Sequence, residues 1–256
     1  MQDDIYQAIT RIKEEGGEAA LATVVSASGS TPREPGAKML IMLDGSIRGT
    51  IGGGSIELRV IKEAAEVIKK EKPKHLSYRL KEGEELGMIC GGDVDVFLEP
   101  IVSTPTLFIL GGGHISFTLA KVGKLVGYKI VVVDDRPEFA TTQRFPEAER
   151  VFAIGYDKAF SELKVGKSGY IVIITHGHKG DAVALEGALS TEAKYIGMIG
   201  SKTKNKSVYA RLQAKGITQQ QLDRVHAPIG LRIHAQSPEE IAISIMAEII
   251  QVRRSV

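Results

Sequence analysis

The stretch TLFILGGGHISFTLAKVGKLVGYKIVVVDD, residues 106–135, decides the fold of the second half of the chain. A short apolar run is followed by three glycines, a segment of helical periodicity, and another apolar run that ends in acids. Gly111 and Gly113 match the first two glycines of a dinucleotide-binding turn, and Ser116 occupies the position of the third. Asp134 lies 21 residues beyond Gly113, close to the expected ribose-binding acid. The pattern predicts a strand, a phosphate-binding turn, a helix and a second strand.

The same alternation continues to the end of the chain. Three further apolar runs, RVFAI, YIVIIT and KYIGMIG, alternate with helical or loop stretches. Such nearly continuous Val and Ile residues are typical of parallel strands that are buried on both faces. The last segment opens with Ser237 and Pro238, which favour a helix start, and closes with arginines. We therefore predict that residues 104–256 form a Rossmann-like α/β domain, a doubly wound parallel sheet covered by helices.

Residues 1–103 have a different pattern. Isoleucines at helical spacing predict a first helix, which a pair of glycines ends. An Asp-Gly pair at 44–45, between two apolar runs, predicts a hairpin, and Ser55 is expected to cap a helix that runs to about Lys70. The two prolines of PIVSTPT, residues 100–106, exclude a helix across the boundary between the two halves. We predict that this half is a small N-terminal α/β domain.

The composition excludes several classes of function. The 256 residues include 33 basic and 31 acidic side chains, so a formal net charge of +2 gives little attraction to nucleic acid or to a membrane. No apolar run is long enough to span a bilayer. A single cysteine cannot close an intramolecular disulfide, and the acidic, amphipathic N-terminus differs from a secretion signal. We therefore expect a cytoplasmic protein without nucleic acid or membrane partners.

Half of the six histidines are predicted to lie in one crevice of the sheet. His176 and His178 follow the carboxyl end of a predicted strand, before a helix that is expected to start near Asp181. In the usual strand order this strand lies beside the strand that precedes His114, at the switch point where such folds bind ligands. Three imidazoles and a carboxylate could hold a metal, bind an anion when protonated, or transfer protons. The alternative is that Asp181 caps its helix and the histidines only line a loop.

A similar arrangement follows the next predicted strand. Ser201 is suited to cap a helix, and Lys202 and Lys204 add positive charge near the helix N-terminus, where anions bind. A solvated basic helix start without a ligand explains the same residues equally well.

The single cysteine lies in an unusual place for a core residue. Cys90 is followed by Gly91 and Gly92, in a turn between two predicted strands. An exposed thiolate in a glycine turn suits a soft metal or transient sulfur chemistry, whereas a small buried thiol would serve only for packing. The residues alone leave both interpretations open.

Seven motifs occur in an order that spans nearly the whole chain. They are GSTPREPGAKML, DGSIRGTIGGGSIE, GMICGG, GGGHI, THGHKGD, YIGMIGSKTK and APIGLRIHAQSPEEIAISIMAEII. Together they closely resemble the XdhC/CoxI family, the accessory factors of xanthine and carbon monoxide dehydrogenases. The resemblance implies an XdhC/CoxI domain followed by a Rossmann-like domain. It also implies a chaperone in the maturation of molybdenum hydroxylases rather than a catalyst.

The resemblance further implies a ligand and partners. The ligand is the molybdenum cofactor (molybdopterin), a pterin dithiolene with a phosphate tail, whose sulfuration and insertion into xanthine dehydrogenase-type enzymes the family supports. Candidate partners are the apo-form of that hydroxylase and a cysteine desulfurase. A second copy of the chain is a further candidate, which neither the residues nor the resemblance decides. Cys90 becomes a candidate contact for molybdenum, and Arg33 a candidate partner for the phosphate. A neighbouring amide-lined concavity for a phosphate or oxo group would be formed by Gly52, Gly53 and Gly54.

The chain departs from the family pattern in two places. Gly177 stands between two histidines where the family usually carries Asp or a similar residue. Near the C-terminus, Arg232 and His234 replace an acid and a glycine, so a site built there is expected to be altered.

Two functions of other classes remain open. The glycine turn and the acid beyond it would also suit a nucleotide, and hence an NAD(P)-binding oxidoreductase. A metal-dependent hydrolase would instead use the histidines of the crevice.

Overall fold

The computed structural model describes residues 2–29, 33–80 and 92–255. The chain forms two compact units, Met1–Ser103 (unit 1) and Thr104–Val256 (unit 2). Each unit has a sheet and a hydrophobic core of its own. Cys90 and Gly91 lie outside the described residues, and so does the side chain of His178.

Among the described residues, unit 1 contains two helices and one antiparallel sheet of five strands. Its elements are α1 (Gln2–Glu15), β1 (Glu18–Gly29), β2 (Lys38–Met42), β3 (Ile47–Gly49), α2 (Gly54–Lys70), β4 (Lys74–Leu80) and β5 (Gly92–Val102). The strand order is β3-β2-β1-β5-β4. The prediction of a small α/β domain is confirmed.

The sheet of unit 1 is covered on both faces. Successive side chains of a strand point to opposite faces. Along β1, Ala20 and Ala22 therefore belong to the core cluster of α2, whereas Ala19 and Leu21 belong to the cluster of α1. Alternate small and apolar residues on this central strand let a helix pack closely on each side.

The hairpin and the helix that follows it illustrate one correct and one incorrect local prediction. β2 and β3 pair antiparallel, and the carboxylate of Asp44 accepts hydrogen bonds from the N–H and Oγ of Ser46. Ser55 is not the cap of α2. The helix begins at Gly54 with Gly53 as N-cap and without a side-chain cap, so Ser55 lies inside the first turn.

Among its described residues, unit 2 contains one sheet of six parallel strands. Its elements are β6 (Thr106–Leu110), α3 (His114–Leu125), β7 (Lys129–Asp134), β8 (Arg150–Ala153), α4 (Tyr156–Glu162), β9 (Gly169–Ile173), α5 (His178–Leu189), β10 (Tyr195–Met198), α6 (Lys202–Gln213), α7 (Gln219–Leu222), β11 (Val225–His226) and α8 (Pro238–Arg254). The strand order is β11-β10-β9-β6-β7-β8. This is a doubly wound sheet, as predicted.

Helices cover both faces of this sheet. Leu119 of α3 and Ile245 of α8 share one core cluster, while Ala159, Leu185 and Leu212, from α4, α5 and α6, belong to the other. β6 pairs with β7 on one side and with β9 on the other. The carboxyl ends of β6 and β9 are therefore neighbours at the switch point, which confirms the predicted order.

Three features of unit 2 add to the sequence interpretation or correct it. The short edge strand β11 was not predicted. Residues 135–149, all of them described, connect β7 to β8 through turns without a helix. α5 begins at His178 rather than near Asp181, because the chain enters the helix directly after Gly177.

The edge strand β11 is anchored by α8. The carboxylate of Glu248 accepts hydrogen bonds from the hydroxyl of Tyr195 at 2.5 Å and from the N–H of Gly230 at 3.0 Å. Nδ1 of His226 lies 3.6 Å from the same carboxylate. Burial and the neighbouring Glu248 raise the pKa of the Tyr195 hydroxyl, so Tyr195 remains a donor at neutral pH.

The last helix begins as predicted. Ser237 accepts a hydrogen bond from the N–H of Glu240, the side chain of Glu240 bonds back to the N–H of Ser237, and Pro238 occupies the first turn.

None of the helices in the described parts of the chain combines the length and the apolar character that crossing a membrane requires.

Candidate functional site at the carboxyl edge of unit 2

The turn after β6 is fixed by close backbone contacts. Gly111 has a φ of +116°, which favours glycine, and a Cβ there would lie 2.1 Å from the carbonyl oxygen of Ile174. Its N–H donates to the carbonyl oxygen of Val133 at 2.7 Å. Gly111 therefore holds β6 against the end of β7 and the loop after β9. This position is the centre of the carboxyl edge, the edge of the sheet where the strands end.

The acid at the end of β7 is saturated by its own neighbours. Asp134 is fully buried, and its Oδ2 accepts hydrogen bonds from the N–H of Gly112 at 2.6 Å and from Arg136 at 2.9 Å. Its Oδ1 accepts from the N–H and Nε of Arg136, both at 2.9 Å. A ribose hydroxyl would have to displace one of these donors. Asp134 therefore braces the glycine turn, a role that the fingerprint did not reveal.

The ionisation of Asp134 contributes to stability. Burial alone would raise the pKa of this carboxyl, but the hydrogen bonds from Arg136 and Gly112 outweigh burial and lower the pKa below its ordinary value. Such a carboxylate stabilises the fold at any pH above its unfolded pKa of about 4. The stabilisation is lost as the pH falls through the lower, folded pKa.

We expect Asp134→Asn to lower the free energy of unfolding of unit 2 by about 2–3 kcal/mol at pH 7, because bonds to a charged group are lost. The deficit should shrink as the pH falls below about 4. Urea unfolding followed by hydrogen-exchange mass spectrometry measures unit 2 separately. The control is Asp135→Asn at the exposed neighbour, with a change below about 0.5 kcal/mol. A deficit for Asp134→Asn that does not vary with pH would contradict this explanation.

The loop between β7 and β8 closes one side of the glycine turn. Nε of Arg144 donates to the carbonyl oxygen of Gly112 at 2.9 Å, and a Cβ on Gly112 would lie 2.5 Å from the carbonyl oxygen of Phe139. The guanidinium groups of Arg136 and Arg144 lie 3.8 and 5.3 Å from the centre of the Phe139 ring. At Gly113, by contrast, no atom of the described residues other than its two chain neighbours lies within 4 Å of a Cβ position. The Gly113 side of the turn is therefore the open side.

Two of the predicted crevice histidines are exposed at this edge. His114 is the first residue of α3, and His176 lies in the loop after β9. His178 begins α5, but its side chain is outside the described part of the structure. Within that part, no group of three or more His, Cys, Asp and Glu side chains could hold a metal ion.

Asp181 makes its contacts inside the fold. It is fully buried in α5, whose N-cap is Gly177, so the interpretation of Asp181 as the cap was wrong. Its Oδ1 accepts a hydrogen bond from Oγ1 of Thr175 at 2.7 Å, and its Oδ2 pairs with Nζ of Lys204 at 2.5 Å. The ion pair joins α5 to α6.

α6 begins at the same edge. Oγ of Ser201 accepts a hydrogen bond from the N–H of Lys204 at 3.2 Å, which confirms the predicted cap. Lys202 is exposed, whereas the ammonium group of Lys204 is bound to Asp181. Of the two predicted lysines, Lys202 is therefore the one that a ligand could reach.

The two residues that depart from the family pattern near the C-terminus lie in one exposed segment of unit 2. Arg232 and His234 are exposed in the segment between β11 and α8. His234 has a φ of +59°, in the left-handed region that favours glycine, the residue that the family pattern carries there. His234 therefore adopts a backbone conformation that costs a non-glycine residue local strain.

In unit 1, the glycine run at 52–54 already binds a carboxylate of the chain itself. Oε1 of Glu57 accepts hydrogen bonds from Oγ1 of Thr50 at 2.5 Å, and from the N–H groups of Ile51 and Gly53 at 3.1 and 2.9 Å. Burial alone would raise the pKa of Glu57, but these bonds outweigh burial and lower it. An external phosphate or oxo group at this run would compete with Glu57.

The other residues predicted for unit 1 are placed only in part. Arg33 is exposed in the loop between β1 and β2, and Gly92 begins β5. Cys90 and Gly91 are outside the described residues, so the contact of Cys90 with molybdenum stays a prediction.

The carboxyl edge between β6 and β10 favours a negatively charged ligand. The first turns of α3 and α6 contain no acidic residue, and the acid of the first turn of α5, Asp181, is neutralised by Lys204. Lys179 and Lys202 are exposed there. Backbone N–H groups at the three helix N-termini, together with these cations, can bind a phosphate or a similar anion.

Three residues that shape this edge were missed from the sequence. Arg136 had a local signal, since it follows the acid of β7 by two residues in the segment DDR. Arg144 had none, because its partner Gly112 lies 32 residues away along the chain. Thr175 precedes the first histidine of its loop, and its bond to Asp181 depends on how that loop folds.

The doubly wound parallel sheet, with a glycine turn at its switch point, defines unit 2 as a Rossmann-type domain. Comparison with known families gives the assignment. Residues 107–249 match the model of the XdhC Rossmann domain, and residues 12–79 match the model of the XdhC and CoxI family. The chain belongs to the XdhC/CoxI family, as its motifs predicted.

Two relatives extend well beyond the region that this chain matches. YqeB of Escherichia coli (strain K12) is 32% identical over 255 residues, which cover 98% of this chain and 47% of that protein. A protein of Bacillus subtilis (strain 168), named as a probable subunit of xanthine dehydrogenase, is 30% identical over 162 residues, covering 63% of this chain and 47% of that protein. The chain therefore spans about half the length of these relatives.

Two further proteins match over most of their length. The "Molybdenum cofactor insertion chaperone PaoD" of Escherichia coli (strain K12) is 22% identical over 281 aligned positions, covering 93% of this chain and 84% of PaoD. The crystal structure of a xanthine dehydrogenase from Bacillus halodurans has a TM-score of 0.54 at 23% identity, covering 97% of this chain and 95% of that one. The structural similarity supports the fold.

Proposed function

We propose that this protein binds the molybdenum cofactor and supports its sulfuration and insertion into a hydroxylase of the xanthine dehydrogenase type. The proposal agrees with the names of two relatives, a chaperone for insertion of this cofactor and a probable subunit of xanthine dehydrogenase. In this role the protein carries the cofactor and delivers it to another enzyme, and does not use it for a reaction of its own. The expected partners are the apo-form of the hydroxylase and a cysteine desulfurase that supplies sulfur.

The main support for the proposal is which groups at the carboxyl edge of unit 2 can donate to a ligand and which are already bound within the fold. The open side of the turn at Gly113, the exposed His114 and His176, and Lys202 offer donors to an anion. The acid that would bind ribose, Asp134, is already saturated. A ligand that has a phosphate and does not depend on a ribose-binding acid fits these groups. The phosphate tail of a pterin cofactor has this chemistry.

For the metal end of the cargo we propose Cys90. A thiolate between apolar sequence and two glycines suits soft-metal ligation or acceptance of sulfur. Arg33, exposed in unit 1, is a second candidate for a phosphate contact. The support for Cys90 is the sequence and the family membership.

The direct test of cofactor binding is a pterin assay. The protein is purified from a host that makes the cofactor, and the bound pterin is oxidised to its fluorescent product. We expect pterin in near-stoichiometric amount. Absence of pterin, together with no binding of added cofactor by the purified protein, would show that the proposed function is wrong.

The strand order favours one alternative, an NAD(P)-dependent oxidoreductase. Dinucleotides bind at this switch point in many sheets of the same order. The saturated Asp134 argues against a ribose contact, so we expect no NADH or NADPH binding at micromolar concentration. Micromolar binding with turnover of a carbonyl substrate would favour the oxidoreductase.

A further inference from the structure

α8 presents a narrow exposed stripe on the side that faces away from the sheet. Five residues at spacings of four, four, three and four share this face of the helix: Glu239, Ile243, Ala247, Ile250 and Arg254. Ile243 is 52% exposed and Ile250 is 36% exposed. The opposite side of the helix packs on α3 and on the sheet. We name these five residues the outer stripe.

The outer stripe is symmetric about its centre. Ile243 and Ile250 are equally distant from the midpoint between residues 246 and 247, and so are Glu239 and Arg254. A twofold axis through this midpoint would bring a second α8 into antiparallel contact. Each Ile243 would then meet Ile250 of the other copy, and each Glu239 would meet Arg254 of the other copy.

We propose that this chain forms a symmetric dimer through antiparallel packing of two α8 helices along their outer stripes. Charge complementarity identifies a second copy as the occupant, because the acidic start of one helix meets the basic end of the other at both ends of the contact. A parallel arrangement would place like charges together. Ala247 near the centre allows the two helices to approach closely.

The two charged residues of the outer stripe are the ones available for this contact. The neighbouring Glu240 already binds the N–H groups of Gln236 and Ser237, and the guanidinium of Arg253 lies 5.2 Å from the centre of the Tyr128 ring. Glu239 and Arg254 are exposed and make no ion pair within the described residues. They can therefore pair across the dimer.

α3, which packs on α8, ends in two exposed apolar residues. Leu125 is 85% exposed, and Val126 is 37% exposed. Both follow Gly123, whose Cβ position lies 3.5 Å from Cε of Met246. One pair of helices, together with these two residues, buries less area than the typical stable interface of about 1,600 Å². We therefore expect a dissociation constant in the micromolar range.

Sedimentation velocity of the full chain over about 1–200 μM measures this equilibrium. Glu239→Arg and Arg254→Glu should each weaken dimerisation at least about tenfold, because the like charges meet twice in a symmetric contact. The variant that carries both changes should return to within about threefold of the wild type. Ile243→Asp should leave a monomer, since a charge would be placed in the apolar centre.

The matched control is Glu162→Arg, the same charge reversal at the exposed end of α4 on the other face of the sheet, and it should dimerise like the wild type. Melting curves verify that each variant is folded. A wild type that is monomeric over the whole range would overturn the proposal. The proposal would also be overturned if Ile243→Asp dimerised like the wild type, or if the variant with both charge reversals did not recover dimerisation. None of these measurements involves the cofactor, so their outcome is separate from that of the proposed function.

Discussion

Lys204→Met is expected to destabilise unit 2 by about 3–5 kcal/mol, because it leaves the carboxylate of Asp181 buried without its charge partner. Asp181 is fully buried, and the Lys204 side chain is only 18% exposed. Thr175 still donates to one carboxylate oxygen, but this neutral hydrogen bond does not compensate a buried charge. Methionine keeps much of the length of the lysine stem, so most of the loss is electrostatic.

The chain offers a matched control for this prediction. Lys215, just after α6, pairs with Glu186 of α5, and both side chains are well exposed. Lys215→Met should therefore cost about 0–1 kcal/mol. Adding Asp181→Asn to Lys204→Met should recover part of the stability, because the unpaired charge is removed. The free energy of unfolding of unit 2, measured by urea titration with hydrogen exchange, tests all three variants. Equal losses for Lys204→Met and Lys215→Met would contradict the role of the buried pair.

Gly111→Ala is the second substitution with a large expected effect. A Cβ at Gly111 would lie 2.1 Å from the carbonyl oxygen of Ile174, a backbone atom that can move only if β6 and β9 separate. The backbone also has a positive φ, which alanine disfavours. We expect a loss of at least about 3 kcal/mol in the free energy of unfolding of unit 2, through overpacking and backbone strain together.

Gly113 lies two residues further along the same turn. The variant Gly113→Ala should affect ligand binding without affecting the stability of the fold. Gly113 has a φ of −70°, and apart from its two chain neighbours no described atom lies within 4 Å of its Cβ position. The variant should keep the wild-type melting temperature within a few degrees. The new methyl group would occupy the open side of the turn, so cofactor binding should weaken about tenfold or more. A Gly113→Ala variant that binds the cofactor like the wild type would place the ligand elsewhere.

Much of the fold could be predicted because its signals are local. The strands of unit 2 are nearly continuous Val and Ile runs, and the turn after β6 is marked by its glycines. Asp44 and Ser237 each make their hydrogen bonds within three residues, so the hairpin and the start of α8 could be predicted from short segments. β11 was missed because two residues, Val225 and His226, are too few to form a pattern.

The candidate site could be predicted only in outline. The strand order brought the turn after β6 and the loop after β9 to one edge, as expected. The hydrogen-bond partners could not be predicted, since Lys204 reaches Asp181 from the next helix and Arg144 reaches Gly112 from a loop without regular structure. The same limit applies to Glu57, whose carboxylate accepts a hydrogen bond from Gly53 in the glycine run that is predicted to bind an external anion. A sequence pattern shows which groups could bind a ligand, and the folded structure shows which of them are already used.

The most direct measurement of the central claim is transfer of the cofactor to an apo-hydroxylase of the xanthine dehydrogenase type. The protein is loaded with molybdenum cofactor and mixed with the apo-enzyme, and the hydroxylase activity that appears is followed over time. We predict faster and more complete activation than with free cofactor at equal concentration. Activation should fall at least about tenfold for Cys90→Ala, if its thiolate is the soft ligand that carries the metal. Activation by the loaded protein no faster than by free cofactor would contradict the account.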